Sequence, residues 1–368
     1  MLKGIQTTVV GSYPAPSWLR TMSNREGLQD AVLAVLKTQE LAGIDVVSDG
    51  ELCRWNVNHA ETNGMIEYFV RPMEGIRCEL SYDELTRWRT QEKFRFRIAP
   101  PGIVVGPVGA GRLNLQADYE LYRALTPRPK KFTVTSPYML AKTLADNHYR
   151  DLESLVIALA DVLKLQVSHI DADVIQVDEA HVTGNPSEAS IAAMGINRVL
   201  EGVRKEKAVH LCFGNYGGQP IQRGTYQKLI GFLNALQADH IVLEMARRPS
   251  VELEMLADVN PRLRLGLGVI DIKDNEVETP DCVAARLERA ADVLGVERIR
   301  YVHPDCGFWM LPRSVADRKM TSLVAGRDLF LNLRRDEYHV PLNAPVVDQA
   351  GPRPPHFSER KASSPMTT

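Results

Sequence analysis

The chain has 368 residues, 44% of them hydrophobic and 24% charged, with a formal net charge of −2. That length can bury one large core or two ordinary ones, and the near-neutral balance excludes the strongly basic surface of a nucleic-acid or anionic-membrane binder. No run approaches the roughly 18 apolar residues of a spanning helix, and the start, MLKGIQTTVVGSYP, lacks a basic stretch followed by an apolar one, so no signal peptide is expected.

Short β-branched runs recur along the chain, each followed by a turn and then a helical pattern. They read as strands at IQTTVVGS (5–12), IDVVSDGE (44–51), FTVTSP (132–137), DVIQVDE (173–179), KAVHLCFG (207–214), HIVLE (240–244), LGLGVID (265–271) and IRYVHPDC (299–306). Between them, LQDAVLAVLKTQELAG (28–43), YRDLESLVIALADVLKLQVSHI (149–170) and PDCVAARLERAADVLG (280–295) carry apolar residues at helical spacing. Strands alternating with helices imply parallel pairing through right-handed crossovers. Eight such units, with no GxGxxG at the first strand–helix turn, predict a (β/α)₈ TIM barrel rather than a doubly wound sheet. A long insertion after the second strand, about residues 56–130, holds an expected β excursion at KFRFRIAP and GIVVGPVG and would cover one face of the barrel. The division expected is one catalytic barrel over residues 1–340 and a disordered tail over 341–368, where proline and polar residues dominate.

In such a barrel the active site forms at the C-terminal ends of the strands. Those ends carry Ser12, Asp49, Glu51, Ser136, Asp178, Glu179, His210, Cys212, Glu244, Asp271, His303 and Cys306. His210 and Cys212 stand at i and i+2 of one strand, so both side chains point to the same side. With Glu244 and Cys306 they make an N/S/S/O set of the kind that binds zinc. Two thiolates and a carboxylate around Zn²⁺ leave a net −1, an environment that stabilises one more thiolate without quenching it. The same H-x-C in an apolar strand is also the pattern of a core histidine beside a buried thiol. Cys53, Cys78 and Cys282 have no histidine at ligand spacing and read as packing or surface residues. Five scattered cysteines make a poor disulfide framework, so a reducing cytoplasm is expected.

Nine blocks in order carry a resemblance: TTVVGSYP, VVSDGE, ETNGMIEYF, TVTSPYML, VIQVDEA, VHLCFGN, IVLEMARRP, GLGVID and VHPDCG. Over about residues 5–325 the chain resembles the catalytic barrel of the cobalamin-independent methionine synthases, within the uroporphyrinogen decarboxylase-like superfamily. The resemblance implies zinc held by His210, Cys212, Glu244 and Cys306. It also implies Glu51 and Asp178 as partners of the amino group of homocysteine, and Ser12 as the residue receiving its carboxylate. Two carboxylates suit an ammonium, and a strand-end loop offers donors to an anion. The chain departs from the family pattern in two places. The synthase has a duplicate N-terminal barrel that helps bind a polyglutamated folate, and in GLGVIDIKDNEVETP Lys273 stands where the synthase has a proton-donating histidine. Lys273 is therefore the candidate catalytic acid, and a polyglutamated folate is not the expected donor.

The activity expected is that of a zinc-dependent thiol alkyltransferase, taking a small thiol and an alkyl donor, with methyl transfer to homocysteine giving methionine. Epoxide opening by coenzyme M, as in the epoxyalkane:coenzyme M transferases that resemble single-barrel members, is the alternative within the same chemistry. A reading from a different class is a non-catalytic barrel stabilised by a four-ligand zinc. Neither nucleic acid nor a membrane is an expected partner. The Arg247–Arg248 pair could grip an anionic substrate group or form ordinary ion pairs, and Trp55, Tyr138, Phe308 and Trp309 could wall a pocket or fill the core.

Overall fold

A computed structural model describes residues 4–56, 58, 62–90, 97–215 and 222–333; the expected tail and most of KFRFR lie outside them. Its strands are β1 (Gln6–Thr7), β2 (Glu74–Arg77), β3 (Ile103–Gly109), β4 (Lys131–Thr135), β5 (Ala145–Asp146), β6 (Val174–Glu179), β7 (Glu206–Leu211), β8 (His240–Leu243), β9 (Arg264–Ile270) and β10 (Ile299–Pro304). Seven of them form one parallel sheet in the order β1-β10-β9-β8-β7-β6-β4. Two isolated parallel bridges, Thr8 to Val46 and Val47 to Lys130, place the segment at 46–47 between β1 and β4 and close the circuit as its eighth stave. The fold is a (β/α)₈ barrel.

The staves are buried along nearly their whole length because each is covered on both faces, outside by helices and inside by the opposite staves. Val10, Val46, Val174, Ala208, Val242 and Tyr301 pack as a cluster of their own, one layer of the barrel interior. The interior is also partly polar. Lys131 Nζ donates to Val9 O at 2.9 Å and to Gln176 Oε1 at 2.8 Å, and Gln176 Nε2 donates to Asp178 Oδ1 at 2.7 Å. Burial brings the Lys131 ammonium down to about 7.

The helices begin and end where local chemistry dictates. Asn24 caps the helix Arg25–Ala42 by accepting from Gly27 N at 2.8 Å, and Gly43 at φ 87° ends it. Asp151 caps Leu152–Val167 and Thr279 caps Pro280–Leu294, the latter with proline in its first turn.

Between the second stave and β4 lie the helices Glu67–Val70, Tyr82–Thr90 and Leu115–Arg123 together with β2 and β3. β2 pairs with β3 antiparallel, and β3 pairs with β5, which lies beyond β4, in parallel. This layer packs into the same apolar core as the barrel through Phe69, Val70 and Leu115, and bonds to it from Thr135 Oγ1 to Met65 O at 2.6 Å, Tyr119 Oη to Asp171 O at 2.9 Å, Tyr122 Oη to Lys131 O at 3.0 Å and Leu115 N to Gln166 Oε1 at 2.9 Å. Among the described residues no helix is long and apolar enough to cross a membrane.

Candidate functional site

His210 is in β7, Cys212 lies one residue past its end, and Cys306 lies two residues past the end of β10. Chain direction and i, i+2 spacing bring all three to the barrel mouth, where one ligand atom from each lies within 4.8 Å of the others. His210 Nδ1 bonds to Val242 O at 3.1 Å, which fixes the ring and its tautomer. Its Nε2 is buried with no hydrogen-bond partner among the described residues. A buried imidazole nitrogen left with its lone pair beside two sulfurs is the donor set a zinc ion takes, so these residues fit that metal. The thiol pair is unevenly poised. Cys306 is held well below the usual thiol range by its bond with Cys212, with His210 and the Lys273 ammonium adding to it; Cys212 is correspondingly pushed up.

Glu244, expected as the fourth ligand, follows β8 directly but is not in the group whose ligand atoms lie within 4.8 Å of one another. Its charge raises the Cys212 thiol, but its Oε1 is taken by Lys273 Nζ at 2.6 Å, while Oε2 accepts weakly from Phe213 N at 3.4 Å. The two side chains are 5% and 2% exposed. The backbone of Glu244 is clamped on both sides by Tyr226, whose hydroxyl accepts from Glu244 N at 3.0 Å and donates to Glu244 O at 3.1 Å. Lys273, brought in by the loop after β9, is therefore placed against Glu244 and is not among the residues lining the cavity above the cluster. Its ammonium is held above the usual lysine range: burial, which would lower it, is outweighed by Glu244.

That cavity, of about 1130 Å³, opens over the barrel mouth and is lined by His210, Cys212 and Cys306 together with Ser12, Glu51 and Asp178. Glu51 takes a left-handed backbone, φ 57°, stabilised by its N–H bond to Asp49 Oδ1 at 2.9 Å. Its carboxylate accepts from Thr133 Oγ1 at 2.7 Å and pairs with Arg54 Nη1 at 3.2 Å. A Cβ at position 11 would lie 2.1 Å from Glu51 Oε1, so glycine there leaves the carboxylate its place. Burial first, and the Glu51 charge second, push Asp178 up to about 7. Ser12 accepts from Phe308 N through its backbone oxygen at 2.7 Å, and its hydroxyl packs so closely on Gly307 that a Cβ there would lie 1.9 Å from it.

Other sequence readings resolve individually. Arg247, half exposed, pairs with Asp271 at the surface, and Arg248, mostly buried, pairs with Glu252 at 2.6 Å with its guanidinium over the Phe213 ring. Trp55 and Trp309 line the cavity, whereas Tyr138 and Phe308 are core residues. His303 is fully buried and bonds the Pro304 carbonyl at 2.7 Å. Cys53 and Cys78, read as packing or surface residues, line the cavity.

Two residues at the site escaped the sequence reading. Arg54 is buried with its guanidinium bonded to Thr133 O at 2.5 Å and Thr133 Oγ1 at 2.6 Å while pairing with Glu51; the three-residue spacing within the turn Leu52–Arg54 was the available signal. Asp305, in the same VHPDCG block as Cys306, accepts from Met245 N at 2.9 Å and Ala246 N at 2.8 Å and so joins the loops carrying Cys306 and Glu244.

The sequence over residues 5–326 matches the family described as the catalytic domain of cobalamin-independent synthase. The chain is 29% identical over 341 residues to a methionine synthase of Thermococcus kodakarensis, covering 88% of this chain and 93% of that protein. It is 27% identical over 353 residues to a methionine synthase of Saccharolobus solfataricus, covering 91% and 98%. The solved structure of a B12-independent methionine synthase from Shewanella sp. W3-18-1, in complex with selenomethionine, superposes with a TM-score of 0.75 at 25% identity, covering 91% of this chain and 99% of that one. With its closed barrel and the His210–Cys212–Cys306 group at the mouth, the chain belongs to the family of cobalamin-independent methionine synthase catalytic domains.

Proposed function

We propose that this protein is a zinc-dependent thiol methyltransferase that converts homocysteine to methionine. The observation that carries the reading is that His210, Cys212 and Cys306 open into the same cavity as Glu51, Asp178 and Ser12. A thiol-bearing amino acid at the cluster would thus have its ammonium within reach of two carboxylates and its carboxylate within reach of the contact between the Ser12 and Gly307 loops. The names of the relatives support methionine as the product.

Zinc, held by His210, Cys212 and Cys306 with Glu244 as the fourth donor, would supply acidity to a substrate thiol while leaving its sulfur nucleophilic. The chain's own residues do the rest. Glu51, locked by Arg54 and Thr133, and Asp178, locked by Gln176, fix the amino acid so that its sulfur faces the cluster. An S–CH₃ bond forms as the bond from methyl to its donor breaks, the thiol proton leaves, and the donor's leaving atom receives a proton. The ammonium of Lys273 is the proposed source of that proton. A cytoplasmic setting, in which Cys212 and Cys306 stay reduced, belongs to the same reading.

One observation favours coenzyme M as an alternative thiol: Arg54 neutralises Glu51, and a buried guanidinium suits a sulfonate. Turnover of each thiol with a panel of methyl donors and epoxides, followed by mass spectrometry of the alkylated product, separates the two. Methionine formation supports the proposal; alkylated coenzyme M with no turnover of homocysteine overturns it. A purely structural zinc is the outcome if zinc-edge absorption shows no added sulfur with any small thiol.

A further inference from the structure

The Lys273–Glu244 pair is more than a surface convenience. Both side chains are almost wholly buried, their charged atoms are 2.6 Å apart, and the carboxylate belongs to a residue expected to ligate the metal. Lys273 is aimed by its own backbone: its N–H bonds to Asp271 Oδ1 at 2.8 Å, and Asp271 is held in turn by Arg247 and by Glu278 Oε1 on its N–H at 2.7 Å. Because Tyr226 clamps the Glu244 main chain, the carboxylate has only side-chain rotation with which to move between partners.

Charge counting explains why a cation belongs there. Zinc with two cysteine thiolates and a neutral histidine is uncharged, and adding Glu244 makes it −1. If a substrate thiolate takes the place of Glu244, the released carboxylate is stranded in a buried site, and leaving a buried charge unpaired is strongly unfavourable. We propose that Lys273 is a positioning residue for ligand exchange: its ammonium receives the Glu244 carboxylate and holds it aside from the His210–Cys212–Cys306 group, so that the fourth ligand position is open to the substrate's sulfur. The inference rests on the zinc-thiol reading above, and it places Lys273 in action before any proton is delivered.

The test compares zinc-loaded wild type, Lys273→Met, Lys273→Arg and the double variant Lys273→Met/Glu244→Gln. Zinc-edge absorption counts sulfur and oxygen or nitrogen neighbours with and without homocysteine, and chelator competition gives zinc affinity without thiol. Wild type should gain one sulfur and lose one light neighbour. Lys273→Met should keep the light neighbour, bind zinc more tightly than wild type, and need about tenfold more homocysteine to gain sulfur. Lys273→Arg and the double variant, which has no carboxylate to park, should take up sulfur as wild type does. The double variant leaves no buried charge unpaired, so it gives the answer even if Lys273→Met does not fold. The inference is overturned if Lys273→Met matches wild type in both zinc affinity and sulfur uptake, or if the double variant fails to take up sulfur. If wild type itself gains no sulfur, the thiol-transfer reading fails, and the zinc affinity of Lys273→Met relative to wild type, measured without thiol, then decides the role of Lys273 by itself.

Discussion

Cys212 and Cys306 lie just past strand ends, Cys212 within the apolar core and Cys306 packed against it, and serine is nearly the same size, so the exchange removes a soft ligand without opening a cavity. Each Cys→Ser variant should lose zinc by metal analysis and lose methyl transfer, while keeping wild-type circular dichroism; full zinc content in either would refute the ligand assignment. Gly11→Ala tests the other end of the pocket. A Cβ there would lie 2.1 Å from Glu51 Oε1, so the carboxylate must shift. A raised homocysteine KM with little change in zinc content is expected, measured by steady-state kinetics and metal analysis. At this scale the sequence was legible where chemistry follows from spacing along one strand, as with His210 and Cys212. It was silent on Lys273 meeting Glu244 and on Arg54 gripping Thr133, since 29 and 79 positions separate those partners and only the closed barrel brings them together.

At the scale of elements, Asp305 ties the end of β10 to the loop after β8. Asp305→Ala deletes an acceptor for Met245 N and Ala246 N and should cost about 2–4 kcal/mol in chemical denaturation, with weaker zinc retention. At the opposite end of the staves, Glu206 of β7 lies 3.0 Å from His240 of β8 and is bonded by Tyr301 of β10 at 3.0 Å and Arg300 at 3.3 Å. Burial would raise its carboxyl, but His240 and Arg300 outweigh it and hold it down to about 2. A carboxylate whose folded value lies below its unfolded one stabilises the fold above the unfolded value, and that stability fades as pH falls toward about 2. Burial keeps His240 neutral at pH 7, so there the charged partner of Glu206 is Arg300; Glu206→Gln should be less stable than wild type at pH 7, by about 1 kcal/mol, and the gap should close in acid, while a gap independent of pH would contradict this. The eight staves and the helices Arg25–Ala42, Leu152–Val167 and Pro280–Leu294 were readable because β-branched runs and capped helical periods are local signals, whereas the longest helix, Arg313–Leu333, was not read. The pairing of β3 with β2 and β5 was not, because short strands that pair across an intervening barrel stave leave no local mark.

For the whole molecule, the cavity of about 1130 Å³ exceeds the about 300–1,000 Å³ that usually encloses one drug-sized ligand. On the proposed reading, with the thiol at the strand tips, the remaining space would take the donor, so both substrates should be bound together before methyl transfer. Initial-rate plots with both substrates varied should intersect; parallel lines would mean transfer through a methylated enzyme instead.

Every residue expected to hold the thiol hangs from a stave or from the loop after it, while the far wall of the cavity comes from the layer between the second stave and β4. That layer packs into the apolar core it shares with the barrel and adds bonds such as Thr135 to Met65 and Tyr119 to Asp171. On the proposed function, the thiol and the donor would thus be held by different segments of the chain. Lineages could trade one donor for another by rebuilding the roof, while the thiol-binding barrel mouth below descends unaltered.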